Sequence, residues 1–138
     1  MEKRDPKNYR VLVVDDEKET VDLLCNRLKT QGFENVDTAE DGLDAYNRCV
    51  TMLRGNKPYD LVVADLKMRK LNGLEFLEKI RKNDFLSDTP FLLISGTFDP
   101  ENLARAMKLK VKHFLVKPFR PEDFDKKFEE CLTSLKLA

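Results

Sequence analysis

Four short aliphatic runs, "VLVV" (11–14), "LVVA" (61–64), "FLLI" (91–94) and "HFLV" (113–116), constrain this chain more than any other feature. A strand with one wet face alternates apolar and polar residues, whereas a strand buried on both faces does not. The runs therefore predict a parallel sheet covered on both sides. A weaker fifth run, "NVDTA" (35–39), reads as an outer strand. Between the runs, apolar residues recur at helical spacing. Val21, Leu24, Cys25 and Leu28 mark a face that stops near Gly32, and Leu43, Tyr46, Val50 and Leu53 mark a second ending at "RGNKP". Leu74, Phe76, Leu77 and Ile80 mark a third, entered through Asn72–Gly73, and Leu103, Ala106 and Met107 a short fourth. Phe124, Phe128, Cys131 and Leu135 mark a fifth, with Pro121 in its first turn and Glu122 and Asp123 near its positive end. Five strand–helix units in succession imply right-handed parallel crossovers. The expected fold is α/β: a (βα)5 three-layer sandwich with a central five-stranded parallel sheet.

A length of 138 residues suits one domain. We expect it to occupy residues 9–138, after a flexible N-terminal tail at 1–8. Lys plus Arg and Asp plus Glu each count 25, so net charge argues neither for nor against a nucleic-acid surface. No recognition-helix or aromatic-basic pattern is present, and direct nucleic-acid binding is not expected. Cys25, Cys49 and Cys131 are scattered without metal-ligand spacing and read as reduced thiols. The polar start "MEKRDPKN" contains no secretory core, and no run approaches the roughly 20 apolar residues of a membrane span. A soluble, cytoplasmic protein is expected, with no membrane partner.

In open α/β sheets, ligands bind beyond the carboxyl ends of the strands. Asp15 and Asp16 follow the first strand, Asp65 the third, Ser95–Gly96 the fourth and Lys117–Pro118 the fifth. Each has an ordinary reading alone. Asp16-x-x-Glu19 resembles a helix-capping pattern, Asp65 a turn residue, and the other two pairs plain strand exits. Together they bring three carboxylates, a hydroxyl and an ammonium to one edge. Carboxylates about 5 Å apart repel by about 3 kcal/mol per pair at an effective dielectric near 20. They must hold protons or a cation. Mg²⁺ takes one or two carboxylates, waters and a phosphate oxygen, and a backbone carbonyl could add a ligand. A carboxylate is also a nucleophile toward phosphorus, and Ser95 and Lys117 could each engage a phosphoryl oxygen. The set is equipped for a Mg²⁺-dependent phospho-aspartate.

With "VLVVDDE", "LVVADLKMRKLNG", "FLLISG" and "HFLVKPF" in this order, the chain from about Tyr9 to Leu135 resembles the receiver domain of two-component response regulators, the CheY-like family. The resemblance implies the flavodoxin-like strand order 2-1-3-4-5. It also implies that Asp65 is the phosphoacceptor, and that Asp16, Asp65 and the Lys67 backbone carbonyl bind Mg²⁺, with Asp15 acting through water. Ser95 and Phe114 would be the switch pair, and Lys117 the phosphoryl-binding lysine, joined to Pro118 by a cis peptide. Implied partners are a sensor histidine kinase or histidine phosphotransfer protein and an output protein. The output protein, or a second copy in a homodimer, would meet the face of the fourth helix, fifth strand and fifth helix.

The departures from the family pattern are specific. Met68–Arg69 replaces Met-Pro, Lys67 places a long cation two residues after Asp65, and Phe114 lacks a tyrosine hydroxyl. "KVK" (110–112) stands where Gly-Ala is common. We expect Lys67 to alter phosphoryl lifetime by screening the path of attacking water. His113, the only histidine, has no ligand set nearby and reads as structural. Arg105, Lys108, Lys110, Lys112, Lys126 and Lys127 form either a solvated face or a surface for an acidic partner. A Mg²⁺-dependent phosphohydrolase with an aspartyl-phosphate intermediate is the alternative, but "DLKMR" lacks the second acid such enzymes carry two residues on. A nucleotide or flavin binder is disfavoured, since no glycine-rich phosphate loop is present. We therefore expect a signalling switch whose chemistry is confined to its own phosphorylation and dephosphorylation, rather than an enzyme.

Overall fold

Strands and helices alternate throughout the computed structural model, which describes residues 4–68 and 70–137 apart from the side chains at 136 and 137. The strands are β1 (Arg10–Val14), β2 (Asn35–Ala39), β3 (Leu61–Asp65), β4 (Phe91–Ser95) and β5 (His113–Val116). The helices are α1 (Lys18–Thr30), α2 (Gly42–Arg54), α3 (Gly73–Lys82), α4 (Pro100–Lys108) and α5 (Pro121–Leu137). All strand pairs are parallel, in the order β2-β1-β3-β4-β5. This is the predicted (βα)5 sandwich.

The period of two in each strand divides the core. Val11, Val13, Leu61, Val63, Leu92 and Ile94 face Leu24 and Leu28 of α1 and Phe124 and Phe128 of α5. Leu12, Val14, Val62, Ala64, Phe91 and Leu93 face Ala45 and Cys49 of α2, Phe76, Leu77 and Ile80 of α3, and Ala106 of α4. Both faces of β1, β3 and β4 are thus dry, which explains their unalternated sequences. The "HFLV" run differs. As β5 it is an edge strand, with Leu115 buried and Val116 55% exposed. Two helical faces are also rotated from expectation. Ala45 and Cys49 rather than Leu43 anchor α2, and Ala106 rather than Met107 anchors α4.

Helix ends follow local chemistry. Asn72 caps α3 in a full capping box with Glu75. Asp41 caps α2 and Asp99 caps α4, each through its side chain. Helix α1 starts after Glu17, one residue later than the Asp16-x-x-Glu19 pattern suggested, and no side chain caps it. Pro6–Asn8, within the segment expected to be a tail, form one 3-10 turn. Arg4 there pairs with Asp60 at 2.9 Å and lies 4.3 Å over the Tyr9 ring. Arg69, one of the departures from the family pattern, lies outside the described residues.

The β3–α3 loop is pressed between neighbours that leave room only for glycine. The Gly42 N–H donates to the Leu71 carbonyl at 2.9 Å, and a Cβ at position 42 would lie 2.2 Å from that oxygen. A Cβ at Gly73 would lie 2.3 Å from the Asp65 carbonyl oxygen. Both approaches fix the backbone that follows Asp65. Among the described residues, no helix is long and apolar enough to cross a membrane.

Candidate functional site

Because β1 is flanked by β2 on one side and β3 on the other, the direction of strand progression reverses between β1 and β3. Ligands of open α/β sheets bind at such a reversal, beyond the strands' carboxyl ends. Asp15 follows β1 there and Asp65 closes β3. Both carboxylates are buried, at 3% and 6% residue exposure, so neither charge is dissipated by water. The backbone turns at each strand exit supply one hydrogen bond apiece. The Glu17 N–H donates to Asp15 Oδ1 at 2.9 Å, and the Lys67 N–H donates to Asp65 Oδ1 at 2.9 Å.

Lys117 enters from the end of β5 through a cis peptide to Pro118. Its ammonium donates to Asp65 Oδ2 at 2.7 Å, Asp15 Oδ2 at 3.2 Å and Glu17 Oε1 at 3.2 Å. Burial works against the charged ammonium, but the hydrogen bond to Asp65 and the charges of Asp15 and Asp65 outweigh it. Lys117 is held above the ordinary lysine range. Asp15 is also pushed up, to about 6, which for a carboxylate disfavours the charged form. Burial is the main cause and the neighbouring Asp65 charge adds to it, against the Glu17 N–H and Lys117. The pocket is short of positive charge.

Asp15, Glu17 and Asp65 each offer an oxygen within 4.8 Å of the others. Three hard oxygen donors, two of them buried, suit a divalent cation such as Mg²⁺. The predicted residues Asp15, Asp65 and Lys117 are therefore brought together. Asp16 is half-buried beside them, outside that convergent group of three. Glu17 joins instead, although its sequence position reads as an acid serving the positive end of α1. Position alone could not separate the two roles.

Ser95 is fully buried at the end of β4, where its carbonyl accepts from the Lys117 N–H at 2.8 Å. Its hydroxyl donates to the Thr97 carbonyl at 2.7 Å and accepts from the Thr97 N–H at 3.2 Å. The Lys67 ammonium reaches toward Thr97 Oγ1 at 3.4 Å, spanning from the β3–α3 loop to the β4–α4 loop. Phe114 packs edge-on against Phe98, with ring centroids 5.3 Å apart. Thr97 and Phe98 were not singled out by sequence, since both sit in an aperiodic loop. Their roles come only from contacts.

His113 stands apart from this edge and hydrogen-bonds Ser134 at 3.1 Å, linking β5 to α5. Of the six cations noted above, Arg105 pairs with Glu78, Lys110 lies 4.0 Å from Asp88, and Lys127 lies 3.3 Å from Glu130. Half of that group thus has acidic neighbours within the chain.

The sequence pattern of the response regulator receiver domain matches residues 11–129. The chain is 29% identical to a chemotaxis protein CheY homolog of Campylobacter jejuni, over 89% of this chain and 92% of the relative. It is 28% identical to the chemotaxis protein CheY4 of Vibrio cholerae, covering 89% of this chain and 98% of that one, with a TM-score of 0.78. A chain of the CheX–CheY–BeF3–Mg²⁺ complex from Borrelia burgdorferi shares the fold at 24% identity, covering 92% and 97%, with a TM-score of 0.77.

Proposed function

The chain belongs to the response regulator receiver domain family, and from that premise we propose that Asp65 accepts a phosphoryl group in a Mg²⁺-dependent phosphorelay. The observation that carries this reading is the bridge Lys117 makes between Asp65 and Asp15, at 2.7 and 3.2 Å. It assembles a nucleophilic carboxylate, a cation-hungry partner and a fixed ammonium from three strand ends.

In the proposed transfer, an Asp65 carboxylate oxygen attacks the phosphorus of a phosphohistidine on a kinase or phosphotransfer protein. A P–O bond forms as the P–N bond breaks, and the departing imidazole keeps the nitrogen electron pair or takes a proton. Mg²⁺, held by Asp16, Asp65 and the Lys67 carbonyl with Asp15 behind a water, would neutralise charge on the phosphoryl oxygens. Glu17 is a further carboxylate available to that ion. Lys117 pairs with one phosphoryl oxygen. Ser95 exchanges its bond to the Thr97 carbonyl for one to another phosphoryl oxygen, and this withdraws the β4–α4 loop toward Asp65. Phe98 moves with that loop, and Phe114 repacks against it by shape alone, having no hydroxyl.

The output of that repacking is the face of α4, β5 and α5, where Met107 and Val116 are 61% and 55% exposed. A partner surface with apolar contacts and an acidic rim fits them together with Lys108 and Lys112. We take residues 9–138 as the receiver unit, with 1–8 as its N-terminal extension. The test is incubation with Mg²⁺ and a small acyl phosphate, read by intact mass. One phosphoryl group should be gained, and lost in Asp65→Asn; no gain, or an undiminished gain in the variant, overturns the reading.

A further inference from the structure

We propose that Glu17 is the resting counter-ion of Lys117, a carboxylate that holds the ammonium until a phosphoryl group on Asp65 takes its place. The proposal rests on Asp65 being the phosphoacceptor and adds a competitor to that chemistry. An ammonium has three N–H donors. Those of Lys117 are all engaged, by Asp15, Glu17 and Asp65. A phosphoryl group brings three further acceptor oxygens and nearly two negative charges. Esterification removes the Asp65 carboxylate charge and frees one Lys117 donor for the phosphoryl group; a second phosphoryl contact requires Lys117 to release a carboxylate as well.

The structure identifies the partner that leaves. Asp15 is buried, and its other oxygen is tied to the Glu17 N–H. Asp65 has already yielded its donor to the group it carries. The Glu17 side chain is 64% exposed, so its carboxylate regains water as it departs. Nor is it needed by the helix it precedes, because Glu17 occupies the N-cap position of α1 without making a side-chain cap bond. An acid at a helix start normally serves that helix; this one is turned across the site toward β5.

Glu17 is thus a positioning residue, acting on the phosphoryl group through Lys117. The effect is that of one exposed ion pair, about two- to five-fold in an equilibrium constant. Beryllofluoride, a non-covalent phosphoryl mimic, tests it at saturating Mg²⁺ by ¹⁹F NMR titration. Glu17→Gln should bind beryllofluoride about two- to five-fold more tightly than wild type. In the wild-type protein, the ¹³C resonance of the Glu17 side-chain carboxylate should move to its solvent-exposed position as beryllofluoride binds. Equal or weaker binding by Glu17→Gln, or a stationary Glu17 resonance, overturns the proposal while leaving the phosphoacceptor reading intact. A wild-type protein that binds no beryllofluoride and gains no phosphoryl group at Asp65 sinks both.

Discussion

Lys67 reaches the β4–α4 loop because its backbone is anchored, N–H to Asp65 Oδ1, and its ammonium lies 3.4 Å from Thr97 Oγ1. The expected screening of Asp65 from attacking water would rest on this placement. We predict that Lys67→Ala shortens the phospho-protein lifetime several-fold, measured as phosphate release after donor removal; an unchanged decay rate counts against the screening role. A second prediction concerns His113. Burial holds its imidazole below the ordinary histidine range, against Glu130, while Lys127 and Lys112 reinforce the shift. Between that depressed value and about 6.5 the unfolded chain binds more protons than the folded one, so stability rises with pH there. It falls as pH drops from 6.5 through the folded value. His113→Asn should flatten that portion of a urea-denaturation stability profile, with no such flattening if the ring titrates normally. Residues of this kind differ in how well sequence exposes them. Asp15, Asp65, Ser95 and Lys117 were legible because strand ends converge by topology. Glu17 was not, because a flexible side chain at a helix start can turn either way, and the choice depends on an ammonium a hundred residues distant.

Among the elements, α4 is held differently from the rest. Ala106 is its one fully buried residue, so apolar attachment is thin. Polar clasps at its C-terminal half compensate. Arg105 pairs with Glu78 of α3, and Arg81 donates to the Leu109 carbonyl at 2.6 Å. The same guanidinium donates to the carbonyls of Ser87 and Thr89 at 3.0 and 2.6 Å and lies 5.3 Å from the centre of the Phe91 ring. The N-terminal end, beside Thr97 and Phe98, is held by the Asp99 cap. Arg81→Met keeps the apolar stem and removes the donors. It should cost about 2 kcal/mol in urea unfolding, the range for hydrogen bonds from a charged group, and should speed amide exchange at 109–111 selectively. Uniform exchange changes would argue that Arg81 serves the whole fold instead. At this scale the sequence was a good guide to which helices exist and a poorer one to which way they face. Ala106 and Met107 both keep helical spacing from Leu103, yet Ala106 is buried and Met107 exposed, and Leu43 keeps spacing with Tyr46 yet is 47% exposed.

For the whole molecule, a cation held by the acid cluster would couple ion binding to stability. Any cation that binds the folded chain alone stabilises it by about 2.7 kcal/mol at a hundred times its dissociation constant. Mg²⁺ should therefore raise the urea midpoint relative to EDTA at matched ionic strength, and Asp15→Ala should lose most of that gain. Equal gains in both proteins would locate the ion elsewhere. The strand order itself was reachable from sequence only through family resemblance, since periodicity reveals how many strands are buried and not which are neighbours. The bridge from Lys117 to Asp15 spans 102 residues and that to Asp65 spans 52. On a ribosome adding about 5–20 residues per second, Asp15 emerges some 5–20 s ahead of the lysine that neutralises it. Throughout that interval the nascent chain carries its acids without their ammonium. Translation of the last strand is then the moment at which the sheet edge acquires its internal counter-charge.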